Sequence, residues 1–181
     1  VAAELLGVDG VRLYHDQALF KEPGGGHTPW HQDQTYWPLD TDRTATMWMP
    51  LVDVPAEVGS MTFVDGSHLA GSLGGWVIGD ESQEQFAALV HARGWATSTH
   101  GAMRAGDATF HTGWTLHSAP ANSTSLLRGV MTVIYVADGT RVGDVDSPYR
   151  AFDQQVWLGG APPGSLVGGD RNPLLWPVPD H

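Results

Sequence analysis

The hydrophobic pattern of the chain predicts many short β-strands. The clearest is Leu127–Val136, a run of mostly apolar residues in which Arg128 is the single charge. Val11–Phe20, Arg43–Val54 and Met61–Val64 are similarly rich in β-branched and aromatic residues, and turn-forming residues lie close to their ends. Shorter strands are predicted at Ala96–His100, Asp107–His111 and Trp114–His117.

Helical spacing of apolar residues is confined to two segments. It predicts a helix over Glu81–Ala92, stopped by Gly94, and the end of another helix over Val1–Leu6, stopped by Gly7. Many strands and few helices, with no internal repeat, predict a mainly β protein with a few flanking helices.

The last quarter of the chain differs in composition. Residues 138–181 are rich in glycine and proline, and we interpret them as a tail packed on the rest of the protein through Trp157, Leu174, Leu175 and Trp176. The chain has 181 residues, 41% of them hydrophobic, which predicts a single domain over residues 1–181. Because the sequence at Val1 is typical of the middle of a domain, we expect a further N-terminal portion to be missing.

Charge and cysteine content exclude several classes of function. The net charge is −11, and the nine Lys and Arg residues are scattered, so no partner nucleic acid or anionic membrane is predicted. Absence of cysteine excludes disulfides, thiolate metal sites and cysteine nucleophiles. No apolar run reaches the ~20 residues of a membrane span, and no secretory signal is visible. We expect a cytoplasmic protein that acts on a small molecule; the sequence leaves its oligomeric state open.

One set of residues indicates metal chemistry. His31 and Asp33 are separated by one residue, and His117 follows 84 positions after Asp33. On an extended segment, side chains at i and i+2 point to the same side. Two imidazoles and one carboxylate bind non-haem Fe(II) on one face and leave the other positions open. A third ligand this far along the chain favours a closed barrel, the double-stranded β-helix (jelly-roll or cupin-like) fold. We call His31, Asp33 and His117 the metal triad.

Arg128 is the candidate for binding an anionic co-substrate. It lies 11 residues after His117, at the start of the strongest strand, where an unpaired charge is costly to bury. A 2-oxo acid that chelates iron needs a cation for its far carboxylate, and arginine binds carboxylates through two parallel hydrogen bonds. The residues therefore predict an oxygenase that uses Fe(II), a 2-oxo acid and O2.

Three segments resemble the phytanoyl-CoA dioxygenase family of Fe(II)/2-oxoglutarate-dependent oxygenases. They are TPWHQDQTYWP (Thr28–Pro38), GSMTFVDGSH (Gly59–His68) and GDATFHTGWTLHSAPANSTSLLR (Gly106–Arg128), and the resemblance covers most of Phe20–Ala137. It implies a double-stranded β-helix, Fe(II), and conversion of 2-oxoglutarate to succinate and CO2. With Asp33 present, we expect hydroxylation of an unactivated C–H of a small organic substrate.

The same resemblance assigns roles to residues. The metal triad matches the iron ligands, and Arg128 matches the arginine that binds 2-oxoglutarate. Trp48 matches an aromatic residue of the co-substrate pocket, and Gln32 lies where the family often has a glutamine that shapes the site. Strand alternation instead turns the Gln32 side chain away from the iron, towards a supporting role through hydrogen bonds. Tyr36 and Trp37 directly follow the ligand pair and are candidates for lining the substrate pocket.

Alternatives remain open at several points. His111, six residues before His117, is a rival third ligand, although the spacing to Arg128 favours His117. Lys21 either reaches the site as a second cation or lies in solvent, and solvent is the favoured interpretation.

The function itself has rivals. One is a cupin-like hydrolase or isomerase that uses Zn²⁺ or Mn²⁺ without 2-oxoglutarate, and another is a binding module without catalysis. Desaturation, epimerisation or cyclisation would start from the same iron chemistry as hydroxylation. The family name suggests an acyl-CoA substrate, but the few basic residues favour a free acid, amino acid or natural product equally.

Overall fold

The computed structural model describes residues 1–177, so the last four residues of the predicted tail lie outside the described chain. The strands are β1 (Val11–Lys21), β2 (Thr28–His31), β3 (Thr44–Pro50), β4 (Thr62–Val64), β5 (Thr97–Thr99), β6 (Thr109–Thr112), β7 (His117–Ala119), β8 (Arg128–Ala137) and β9 (Leu174–Trp176). The helices are α1 (Ala2–Leu6), α2 (Asp80–Arg93) and α3 (Pro148–Trp157).

The strands form two curled antiparallel sheets with a cavity between them. One has the order β6-β3-β8-β1-β9, and the other has the order β2-β7-β4-β5. Both sheets contribute residues to the cavity wall. The predicted mainly β architecture with few helices is confirmed. In the described part of the chain, no helix has the length and apolar character needed to cross a membrane.

Strand β8 is the centre of the larger sheet and determines which side chains face the cavity. Its even-numbered residues from Val130 to Val136 are buried, and the odd-numbered residues between them are only partly buried. This period of two is that of a strand with one face on the core. It places Arg128, Thr132 and Ile134 on the cavity side.

Two predicted elements need correction. The predicted strand Trp114–His117 begins only at His117, because Thr115 N donates to Thr112 O at 2.9 Å and closes a turn. Gln34 and Trp37 occupy the space that a Cβ at residue 113 would need, so only glycine fits at this point of the turn. The β-rich segment Arg43–Val54 is regular only as far as Pro50.

The tail contains more regular structure than its composition indicated. Helix α3 begins with Pro148, and Ser147 caps it by accepting a hydrogen bond from Arg150 N at 3.2 Å. Leu158 and Val167 are buried in the hydrophobic cluster that contains Tyr14 and Trp37, so the tail packs against the larger sheet. Trp176 remains half-exposed.

Candidate metal and co-substrate site

The metal triad comes together at one edge of the smaller sheet. Strand β2 ends at His31, β7 begins at His117, and these two residues are directly paired. Asp33 opens a short 3-10 helix rather than continuing the predicted extended segment. Its Oδ1 lies 3.5 Å from His31 Nε2 and 3.7 Å from His117 Nε2. One ligand atom from each residue therefore falls within 4.8 Å of the other two.

Backbone carbonyls orient both imidazoles. His31 Nδ1 donates to Pro29 O at 2.8 Å, and His117 Nδ1 donates to Thr115 O at 2.9 Å, each carbonyl lying two residues before its histidine. We assign the proton to Nδ1 because a carbonyl can only accept. Each Nε2 then presents its lone pair towards Asp33 Oδ1, as a metal ligand requires.

Two further side chains hold the Asp33 carboxylate through Oδ2, the oxygen that does not face His31 and His117. Thr46 Oγ1 donates to Oδ2 at 3.0 Å, and His111 Nε2 lies 3.3 Å from the same oxygen. His111, the rival ligand, thus lies beside Oδ2, whereas His31 and His117 lie beside Oδ1. Geometry favours the triad as the ligand set and His111 as a residue that positions Asp33.

The charges of the triad suit a divalent cation. Burial alone would raise the pKa of Asp33, but its interactions with the neighbouring imidazoles of His117, His111 and His31 hold that pKa well below its usual range. Burial, and repulsion from His31, lower the pKa of His117 well below its ordinary value. One anionic carboxylate and neutral imidazoles are the protonation states that bind metal, and this N2O donor set fits non-haem Fe(II).

Two buried cations lie together in the same cavity. Lys21 and Arg128 are directly paired across β1 and β8, and both line the cavity. Lys21 is only 8% exposed and donates to Pro120 O at 2.8 Å, so the favoured prediction that it lies in solvent was wrong. Burial, with repulsion from Arg128, lowers the pKa of Lys21 to about 8.

The guanidinium of Arg128 is incompletely bonded. Its Nη1 donates to Gly59 O at 2.7 Å, while its buried Nε has no hydrogen-bond partner among residues 1–177. Neither Arg128 nor Lys21 forms an ion pair within that range. Unpaired buried cations are costly, so this end of the cavity fits the far carboxylate of 2-oxoglutarate.

Trp48 and Gln32, the two remaining candidates for the co-substrate pocket, lie in different places. Trp48 is buried in the cavity wall, with its ring 5.5 Å from Arg128 Cζ. Gln32 is absent from the cavity lining: its amide donates to Gly71 O and Trp114 O and accepts from Leu73 N. The extended backbone of Gln32 turns its side chain away from the ligands, so its amide binds backbone groups beside the site rather than lining the co-substrate pocket.

The cavity has a volume of about 630 Å³, within the range of small-molecule sites. Tyr36 and Trp37, the candidates for the substrate pocket, both line this cavity. Trp37 also packs in the core with Tyr14, and Tyr36 Oη accepts from Ile78 N at 2.7 Å. Sequence reasoning did not identify His15 and Asp153, two further polar residues of the wall.

Two of the solved structures similar to this chain are of non-heme alpha ketoglutarate dependent enzymes. The epimerase SnoN in complex with Fe³⁺, alpha ketoglutarate and nogalamycin RO is 34% identical, with a TM-score of 0.76 over 96% of this chain and 68% of its own. The non-heme alpha ketoglutarate dependent carbocyclase SnoK from nogalamycin biosynthesis is 30% identical, with a TM-score of 0.74 over 96% of this chain and 65% of its own. The chain thus spans about two thirds of the length of these structures.

A more distant structure shares the fold. EctD from S. alaskensis with 2-oxoglutarate and 5-hydroxyectoine is 21% identical, with a TM-score of 0.65 over 82% of this chain and 54% of its own. None of the curated proteins is significantly similar to the chain.

The sequence profile of the phytanoyl-CoA dioxygenase (PhyH) family matches residues 1–130. With the similar structures, this confirms the predicted jelly-roll fold and the predicted cofactors, iron and 2-oxoglutarate. The chain belongs to the phytanoyl-CoA dioxygenase family.

Proposed function

We propose that the chain forms the catalytic core of an Fe(II)- and 2-oxoglutarate-dependent oxygenase that hydroxylates an unactivated C–H of a small organic substrate. One observation carries the proposal: a single cavity holds the metal triad and, beside it, two buried cations that form no ion pair among residues 1–177. A metal hydrolase needs the first feature but has no use for the second.

The spacing of the two features suits a five-carbon dicarboxylate. Thr46, which binds Asp33, and Trp48, which lies under Arg128, are two residues apart on β3. Two residues of a strand span about 7 Å. In this proposal the keto acid end of 2-oxoglutarate lies at the triad and its far carboxylate lies at Arg128.

Each group then has a defined task. His31, Asp33 and His117 would hold iron, while Arg128 and Lys21 would neutralise the far carboxylate and Trp48 would pack against the carbon chain. Bound iron would supply the oxidising chemistry by which one atom of O2 enters the substrate C–H bond and the other enters succinate as CO2 is released. Tyr36 and Trp37 line the space where the substrate would lie and exclude water from it.

Release of succinate tests this function. Metal-free protein supplied with Fe(II), 2-oxoglutarate and O2 should form succinate slowly, and faster when a compound library contains a substrate. Zn²⁺ in place of Fe(II) should give none. Turnover of a substrate by the Zn²⁺ form without 2-oxoglutarate would instead establish the hydrolase or isomerase alternative.

Two other outcomes of the same chemistry, epimerisation and ring closure, also have support. Two similar structures of at least 30% identity are called an epimerase and a carbocyclase. Product mass separates the three outcomes: hydroxylation adds one oxygen, epimerisation leaves the mass unchanged, and ring closure removes two hydrogens. The proposal of hydroxylation is wrong if the product gains no oxygen.

A further inference from the structure

The cavity extends beyond the metal triad on the side away from the two cations. His15 on β1 pairs with Ile134 on β8, Ile134 pairs with Thr46 on β3, and Thr46 pairs with His111 on β6. Directly paired residues point to the same face of a sheet. Because Thr46 and His111 both contact Asp33, His15 lies in the cross-strand row that supports the metal triad, at the outer end of that row.

Helix α3 packs against this end of the row and forms part of the cavity wall. Phe152 and Asp153 follow Tyr149 by three and four residues, and Trp157 follows Asp153 by four, so these residues lie towards one side of the helix, and all four line the cavity. The Trp157 ring stacks on His15 with centroids 4.6 Å apart and planes 17° from parallel. We call the space lined by His15, Trp37, Tyr149, Phe152, Asp153 and Trp157 the outer chamber.

Asp153 is a carboxylate in this chamber without a cation. It is only 8% exposed, and Tyr14 Oη donates to its Oδ2 at 2.9 Å. No Lys, Arg or His within the described residues lies in ion-pair distance of it. Arg150, one turn earlier, is committed to Thr35 O and to Asp146. Burial raises the pKa of Asp153 to about 6, which leaves it mostly ionised at neutral pH.

His15 supplies no positive charge to compensate. Burial lowers its pKa to about 4, so the ring is neutral. Its buried Nδ1 has no hydrogen-bond partner among residues 1–177. A buried carboxylate in a chamber lined by aromatic rings and a neutral imidazole favours a cation, because ring faces attract cations and a buried anion needs a counter-ion.

We propose that the outer chamber binds an amine-bearing substrate, with its ammonium group on the Asp153 carboxylate and its ring or apolar body against Trp157 and Trp37. The inference deepens the proposed function and rests on it for the reaction that follows binding. The cavity then has opposite charges at its two ends, with Lys21 and Arg128 for the anionic co-substrate and Asp153 for the cationic substrate.

Two probes of one shape test the charge preference. Tryptamine and tryptophol share the indole ring and side-chain length, but only tryptamine carries an ammonium. Calorimetric titration of the metal-free protein at physiological salt should show tryptamine binding about tenfold or more tightly, a ratio that corresponds to about 1.4 kcal/mol. Equal affinities, or no binding of tryptamine at millimolar concentration, would overturn the proposal.

Matched variants locate the preference. Asp153→Asn keeps an acceptor for Tyr14 and should bring tryptamine to the affinity of tryptophol. Asp170→Asn removes an equal charge from an exposed position outside the cavity lining and should keep the tenfold ratio. A preference that survives Asp153→Asn would place the cation elsewhere and contradict the proposal.

These titrations involve neither iron nor turnover. Failure of the charge preference with normal succinate release would reject the amine and keep the oxygenase. Loss of succinate release with the preference intact would do the reverse.

Discussion

The two ends of the cavity are built in different ways. At the inner end, strands hold every chemical group except Asp33, which opens the 3-10 helix just after β2. Strands β2 and β7 carry the histidines, β3 supplies Thr46, and the paired β1 and β8 carry the two cations. Backbone carbonyls or neighbouring side chains fix each of these groups. At the outer end, helix α3 contributes four lining residues, and two of them, Tyr149 and Phe152, are about half-exposed or more.

This difference assigns separate parts of the cavity to the reaction and to the choice of substrate. Strand register fixes side chains to within a fraction of the spacing between strands, as a metal site and a co-substrate site require. Helix α3 lies outside both sheets, so its sequence and position can change without disturbing that register. We infer that the inner end determines the chemistry and that α3 determines which compound undergoes it.

The largest expected effect comes from the triad. Asp33→Ala and His117→Ala should weaken iron binding by more than about a hundredfold, since even outer hydrogen bonds to metal ligands are worth about 10–100-fold. Anaerobic calorimetry with Fe(II) measures this. His91→Ala, at an exposed position on α2, is the control. Tryptamine binding should stay close to wild type in all three variants, and its loss would mean that the two ends are not independent.

The next effect concerns the co-substrate. Arg128→Ala should raise the half-saturating concentration of 2-oxoglutarate by about a hundredfold, because truncating one partner of a buried charge pair costs about 2–5 kcal/mol. Arg128→Lys should recover part of this. Arg104→Ala, at an exposed position, should have no effect. An unchanged half-saturating concentration in Arg128→Ala would exclude this arginine from the site.

A smaller effect is expected at the support of Asp33. Thr46→Val removes the hydroxyl that donates to Asp33 Oδ2 and should weaken iron binding by about tenfold. Thr112→Val, which removes a neighbouring hydroxyl on β6, should not. Equal iron affinities in Thr46→Val and wild type would show that His111 alone positions the carboxylate.

The smallest effect is a pH dependence. Lys21 is charged below its pKa of about 8 and neutral above it, so affinity for 2-oxoglutarate should be constant up to about pH 7 and begin to fall as the pH approaches 8. It should then fall by up to about tenfold by pH 9, because the anion binds the charged form. Lys21→Met should bind more weakly and lose this pH dependence. An identical decline in Lys21→Met would assign the titration to another group.

The sequence predicted the inner end well because its chemistry depends on residue type. Two histidines and an aspartate at this spacing are typical of a non-haem iron site, and an arginine at the start of an apolar strand is conspicuous. Lys21 was misjudged because its burial follows from pairing with Arg128 across β1 and β8, and register is not visible in one strand. For Gln32, position in the family suggested a place in the co-substrate pocket, whereas strand alternation predicted a side chain turned away from the iron, and its hydrogen bonds to backbone groups agree with the second of these.

The outer end was largely invisible to sequence reasoning. Glycine and proline in residues 138–181 masked α3, although Ser147 and Pro148 are a recognisable start signal for a helix. His15 and Asp153 are 138 residues apart and meet the same cavity only through tertiary packing. No local pattern marks a single buried carboxylate as a binding group.

The central claim is that the triad and the two cations form one site for iron and 2-oxoglutarate. An anaerobic titration with Fe(II) and then 2-oxoglutarate, followed by visible absorption, tests it most directly. We expect a weak charge-transfer band that needs both additions and is lost in Asp33→Ala and His117→Ala. No band in the wild type, together with tight Zn²⁺ binding, would contradict the account.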